Sequence, residues 1–139
     1  MSYAVGDVVA ERTVQLSRES LVRYAGASGD FNPIHYRDDV AEAVGLPGVL
    51  AHGMLTMGIA SSVVVQALPA SARVLDYGVR FARPVIVDAE TGAELAITAK
   101  VGAVDEKSVR FDVTVKFSDT TVLVKAQLRV DAASLGDSA

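Results

Sequence analysis

Apolar and polar side chains alternate without a break over residues 108–117. Val109, Phe111, Val113, Val115 and Phe117 stand against Arg110, Asp112, Thr114 and Lys116. A period of two predicts a strand with one buried and one wetted face. Segments 73–81, 94–104 and 121–130 have the same β character, and Asp105-Glu106-Lys107 and Ser118-Asp119-Thr120 read as turns between the last three strands. A different pattern runs from Gly53 to about residue 68, with apolar or small residues on every side until Pro69 stops it. Such a helix is expected to be buried all round. Together these patterns predict an α+β fold, an antiparallel β-sheet wrapped around a long central α-helix.

The amino-terminal part has shorter signals. Thr13-Val14-Gln15-Leu16 alternates and predicts a short strand. Ser17 is placed to cap a helix through about Ala27, with Glu19 in its first turn and Leu21, Val22, Tyr24 and Ala25 on one face. Gly26, Gly29 and Asn32-Pro33 end it, because a residue before proline is pushed out of the α region. The stretch Gly29-Asp30-Phe31-Asn32-Pro33-Ile34-His35-Tyr36 is therefore loop. Asp38 is expected to cap a short helix that ends at Gly45-Leu46-Pro47-Gly48.

Composition narrows the chemistry. A chain of 139 residues is most simply one domain, taken as 1–131 with 132–139 as a frayed tail. The net charge of −4 and the lack of any Lys/Arg run argue against nucleic acid as a partner. With no cysteine, disulfides, thiolate catalysis and Cys-ligated zinc are excluded. The first residues lack a charged region followed by an apolar one, so no signal peptide is expected. The most apolar run, 54–65, is too short to cross a membrane. A cytoplasmic protein without membrane contact is the expectation.

The reactive side chains are few and close in sequence. Asp30 and one of only two histidines, His35, share the proline-stiffened loop, and His52-Gly53 opens the long helix seventeen positions after His35. Asp30 taken alone fits a turn residue equally well, and His35 alone a hydrogen-bonded histidine. With His52-Gly53 they make an acid/base pair beside a helix start, where unpaired N–H groups carry about half a positive charge. Gly53, without a Cβ, lets a substrate oxygen approach those donors; close backbone packing is the alternative. Asn32 and Pro33 shape the loop, and His52 is taken to hold it rather than to act as the base. Asp30, His35 and His52 match no zinc spacing, so no metal and no cofactor are expected. Ser61, about two turns beyond Gly53, is a candidate for the substrate side of the site by orienting Asp30. The small residues Gly58, Ala60, Ser61 and Ser62 also fit simple close packing. Gly58 and Ala60 are candidates to leave room for an acyl tail. Arg73, Arg80 and Arg83 are candidates for a basic patch.

GDFNPIH followed at this spacing by HGMLTMGIA, with RFARPV in the later strand, resembles the MaoC-like or R-specific hydratase branch of the hot-dog superfamily. The resemblance covers nearly the whole chain, and within the family it looks most like the catalytic subunit of actinobacterial (3R)-hydroxyacyl-acyl-carrier-protein dehydratases. It implies a hot-dog fold and a dimer, either a homodimer or a heterodimer with a related subunit. It also implies hydration of an enoyl thioester on acyl carrier protein or coenzyme A. Asp30 and His35 would hold the reacting water, and the Gly53 N–H would polarise the thioester carbonyl. The glycine of a Gly-Asp pair common in relatives after the Pro-Val is absent here, where Ile86-Val87-Asp88 follows Pro84-Val85. A thioesterase on the same fold, and a subunit that only holds the acyl chain, are the alternatives.

Overall fold

A computed structural model describes residues 2–136. The strands are β1 (Val8–Leu16), β2 (Val74–Phe81), β3 (Ala93–Val104), β4 (Ser108–Phe117) and β5 (Thr120–Asp131). They form one antiparallel sheet in the order β1-β3-β4-β5-β2. The helices are α1 (Arg18–Ser28), α2 (Asp38–Ala43) and α3 (Gly53–Gln66), with a 3₁₀ turn at Pro33–His35. This is the hot-dog arrangement: β3, β4 and β5 form a meander, and the sheet curves around α3.

The alternation in β4 does what it predicts. Val109, Phe111, Val113 and Val115 are all buried, joined by Leu95, Ile97, Ala99 and Val101 from β3 and Leu128 and Val130 from β5. β1 is longer than the alternating 13–16: residues 8–12 also pair along β3, with a register shift between Val8 and Ala10 that breaks the alternation, while Val9 and Ala10 pack half-buried against the core. That part of β1 is held by backbone hydrogen bonds and leaves no apolar period to read.

Three expectations change. First, α3 is buried on one stripe only, Thr56, Ala60, Val63 and Val64, while Met54, Gly58 and Val65 are exposed. The sheet covers one side of the helix, and nothing among the described residues covers the other. Second, residues 132–135 are ordered rather than frayed. Asp131 accepts from Ala133 N–H, Ser71 donates to Ser134 C=O, and Leu135 is buried. The remainder of the predicted tail, 137–139, lies outside the described residues. Third, Asp38 is the first residue of α2 rather than its cap, and its carboxylate turns away toward Arg18.

Tyr77 in β2 ties the sheet to the central helix. Its hydroxyl donates to Met57 C=O at 2.7 Å, and burial pushes the phenol up to about 12, so it remains a donor at neutral pH. Ser17 caps α1 as expected, sharing a reciprocal capping box with Ser20. At the other end Gly29, at φ +76°, closes α1 in the left-handed region that glycine alone enters without strain. This cap sets the position of Asp30, the next residue.

Candidate active site

The loop after α1 is organised by its own short side chains. The Asp30 carboxylate accepts from Asn32 N–H (3.2 Å), and the Asn32 amide oxygen accepts from Ile34 N–H (3.2 Å). Pro33 starts the 3₁₀ turn, which delivers His35 to a buried position. There His35 Nδ1 lies 2.7 Å from Leu50 C=O. A carbonyl only accepts, so Nδ1 carries the proton, and in the neutral ring Nε2 presents its lone pair. Nε2 lies 3.9 Å from Asp30 Oδ2. The imidazole is almost wholly buried, whereas the Asp30 side chain is 52% exposed. The pair is thus one fixed base and one carboxylate open to what lies outside.

His52 holds both partners. Its ring stacks on His35 with centroids 3.8 Å apart and planes 21° from parallel, and Tyr24 from α1 meets its edge at 4.8 Å. Its Nε2–H donates to Asp30 C=O at 3.1 Å, while Nδ1 is buried with no partner among the described residues. This is the loop-holding role expected of it. Burial pushes the His52 pKa down, only partly offset by the bond to Asp30 C=O, with His35 adding to the fall. The folded chain therefore keeps this ring neutral where the unfolded one, near pH 6.5, begins to charge. The consequence has a definite sign: the contribution is full above about pH 6.5 and is lost as pH falls from there through the lower folded value. Melting temperature is expected to fall between pH 7.5 and 5.5, and less steeply in His52→Gln; equal slopes would contradict it.

The three side chains offer ligand atoms within 4.8 Å of one another. They nevertheless make a poor metal cradle. His35 Nδ1 and His52 Nε2 face carbonyls, and near-parallel stacked rings send their in-plane lone pairs side by side instead of toward one point.

Gly53 follows His52 as the first residue of α3, and neither its N–H nor that of Met54 has a partner among the described residues. No side chain caps this helix start. A Cβ on Gly53 would lie 2.9 Å from Phe81 Cε1, so a larger residue here has to push the half-exposed Phe81 ring aside. The free N–H is a separate property of the same residue. Gly53, Leu50, Thr56, Phe81 and Arg83 line a small hollow of about 70 Å³, which Asp30 and His35 do not line. A hollow of about 520 Å³ between Asp88, Glu94 and Lys116 includes none of Asp30, His35, His52 and Gly53.

The remaining candidates separate. Ser61 donates to Gly58 C=O at 2.9 Å and not to Asp30, so the orienting role fails within this chain: a helical serine is satisfied by the preceding turn. Ala60 is fully buried core, which leaves only Gly58 of the proposed tail-lining pair open. Arg73 pairs with Asp131, Arg80 lies beside Lys125 and Gln127, and Arg83 lines the Gly53 hollow, so no single patch forms. Tyr24 and Phe81 were not singled out from sequence. Each reaches the site across 28 positions, to His52 and Gly53 respectively, and carries no local signal.

Residues 3–120 match the MaoC like domain, and the chain belongs to this family. Among curated proteins it is 36% identical over 83 residues to 3-hydroxyacyl-thioester dehydratase X of Mycobacterium tuberculosis, covering 60% of this chain and 29% of that one. It is 28% identical over 109 residues to the (R)-specific enoyl-CoA hydratase of Rhodospirillum rubrum, covering 78% and 74%. A solved MaoC-like dehydratase superimposes with a TM-score of 0.87 at 36% identity, over 94% of this chain and 41% of that one. The chain thus spans less than a third of the first relative's length and about three quarters of the second's.

Proposed function

We propose that this chain is a hydro-lyase that interconverts trans-2-enoyl and (3R)-3-hydroxyacyl thioesters, carried on acyl carrier protein or coenzyme A, in fatty-acid metabolism. The observation that carries the reading is the His35 Nε2 atom set 3.9 Å from the Asp30 carboxylate, with the His52 ring, next to Gly53, stacked on His35. Two acceptors at that spacing suit one water between them, hydrogen-bonded to each at about 2.8 Å. The water oxygen bonds to C3 as one of its protons passes to the pair, and a proton is then delivered to C2. The C2=C3 electrons move toward the thioester oxygen, where negative charge develops as an enolate. The unpaired N–H of Gly53, at the positive end of α3, is the donor for that oxygen.

A second subunit fits the same reading. Each functional residue has an exposed large apolar neighbour in sequence: Phe31 beside Asp30, Tyr36 beside His35 and Met54 beside Gly53. Phe81, packed on Gly53, is exposed as well. The hollow at Gly53 is far below the roughly 300 Å³ from which small-molecule sites usually start. A dimer partner, identical or related, would cover this rim and the open side of α3, and would wall the acyl chain against it.

Incubation of the purified chain with enoyl thioesters of graded length, alongside saturated acyl-CoA, tests the reaction. Loss of enoyl absorbance with no release of free thiol is expected, and the native mass is expected to be that of a dimer or larger. Thiol release from the saturated ester would replace the reading with a thioesterase. No turnover of any enoyl thioester, alone or with a related subunit, would leave an acyl-binding subunit.

A further inference from the structure

Leu50 C=O fixes which nitrogen of His35 is protonated, so whatever fixes Leu50 also fixes the base. The backbone of residues 49–51 runs beside residues 85–87: Ala51 N–H donates to Val85 C=O, and Val87 N–H to Val49 C=O, both at 2.9 Å. One side-chain pair bridges the two runs beyond these bonds, through Val49 N–H and Val87 C=O. Asp38 Oδ1 accepts from Val49 N–H (3.2 Å) and from Arg18 Nη2–H (2.9 Å), and Oδ2 lies 3.3 Å from Arg18 Nη1. Arg18 is itself held, since its Nε–H donates to Val87 C=O. Asp38 thus joins α1, α2 and both backbone runs through a single carboxylate. The Arg18 fork and Val49 N–H hold its carboxyl below the usual range, so it is ionised at neutral pH.

We propose that Asp38 is a positioning residue for His35: by clamping Val49 it aims Leu50 C=O at Nδ1, and this leaves Nε2 free to face Asp30. Four residues further on, the same segment becomes Gly53 and the start of α3, so the clamp also spaces the base from the helix-end donor. Neither Asp38 nor Arg18 touches the reacting atoms. The kinetic consequence rests on the hydratase reading; the effect on the imidazole does not.

The test is Asp38→Ala, read by nitrogen-15 NMR of the imidazoles and by steady-state kinetics. In the wild type His35 is expected as the Nδ1–H tautomer. In Asp38→Ala the Nε2–H tautomer should appear, with kcat down about tenfold or more and KM changed much less, because a base slightly out of place loses rate before affinity. Asp38→Asn keeps one oxygen for both Val49 and Arg18, so it should restore the tautomer and most of the rate. Arg18→Met keeps the aliphatic stem and removes the fork; it should behave as Asp38→Ala and replaces it if that variant does not fold. A folded Asp38→Ala or Arg18→Met in which His35 keeps the wild-type tautomer would overturn the proposal. A changed tautomer with unchanged turnover would leave the clamp standing and remove His35 from the chemistry.

Discussion

Asp30→Asn and His35→Ala are each expected to lower kcat for enoyl hydration by about 10²–10⁴-fold, the usual range for a positioned acid or base. The reason is geometric. The Asp30 carboxylate and the His35 Nε2 lone pair are both acceptors, so a water between them gives one O–H to each and turns its own lone pair outward. Asparagine keeps the shape at position 30 and an acceptor for Asn32 N–H, and replaces the oxygen that faces His35 by an NH2 donor, so the charge and the acceptor for the water are lost. Since that side chain is half exposed, stability should hardly change. His35 is buried, and truncation leaves Leu50 C=O without its donor, at about 1–3 kcal/mol. His35→Asn, which is able to donate to that carbonyl, is therefore the companion that separates chemistry from folding. The double variant should be little worse than either single one, because both groups serve one water. Turnover near the wild-type rate in folded Asp30→Asn would reject the assignment, as would additive losses close to the product of the two.

What the sequence discloses here follows the range over which each signal acts. Strands 108–117 and 121–130, the Ser17 cap and the Gly29 stop are local patterns, and each appears where the chain alone places it. The Asp30/His35 pair is legible for the same reason: five positions and one proline keep both on one short loop. The open side of α3 was not legible. A helix apolar on every side looks the same whether its second face meets more of the same chain or something outside it. Ser61 misled because helical spacing gives the face of a side chain but not its hydrogen bond, which the Gly58 carbonyl one turn back supplies. The His35–His52 stack and the Asp38–Arg18 clamp lay beyond reach as well. They join positions 17 and 20 apart through turns whose geometry no periodicity records.

Gly53 gives the most discriminating experiment, because its two properties are separable. If the N–H carries the oxyanion, proline at this position should abolish turnover while alanine does not. Proline suits the first position of a helix, and His52, at φ −59° and ψ 129°, already has the backbone that a residue before proline prefers. The only obstacle is the Cβ, which in either substitution meets the Phe81 ring. Both variants are therefore made with Phe81→Ala, whose side chain is half exposed and whose loss should be tolerated. Gly53→Ala/Phe81→Ala has the Cβ and keeps the donor, and should stay within about tenfold of Phe81→Ala alone. Gly53→Pro/Phe81→Ala lacks the donor and should fall by a further 10²–10³-fold, the loss seen when one such hydrogen bond is removed. The decrease should appear in kcat and not in KM, since the oxygen gains its charge only on the way to the enolate. Equal rates for the two double variants, with equal helix content by circular dichroism, would show that this amide does not hold the thioester oxygen. Met54 N–H, the other unpaired donor at the start of α3, would then be the group to remove next.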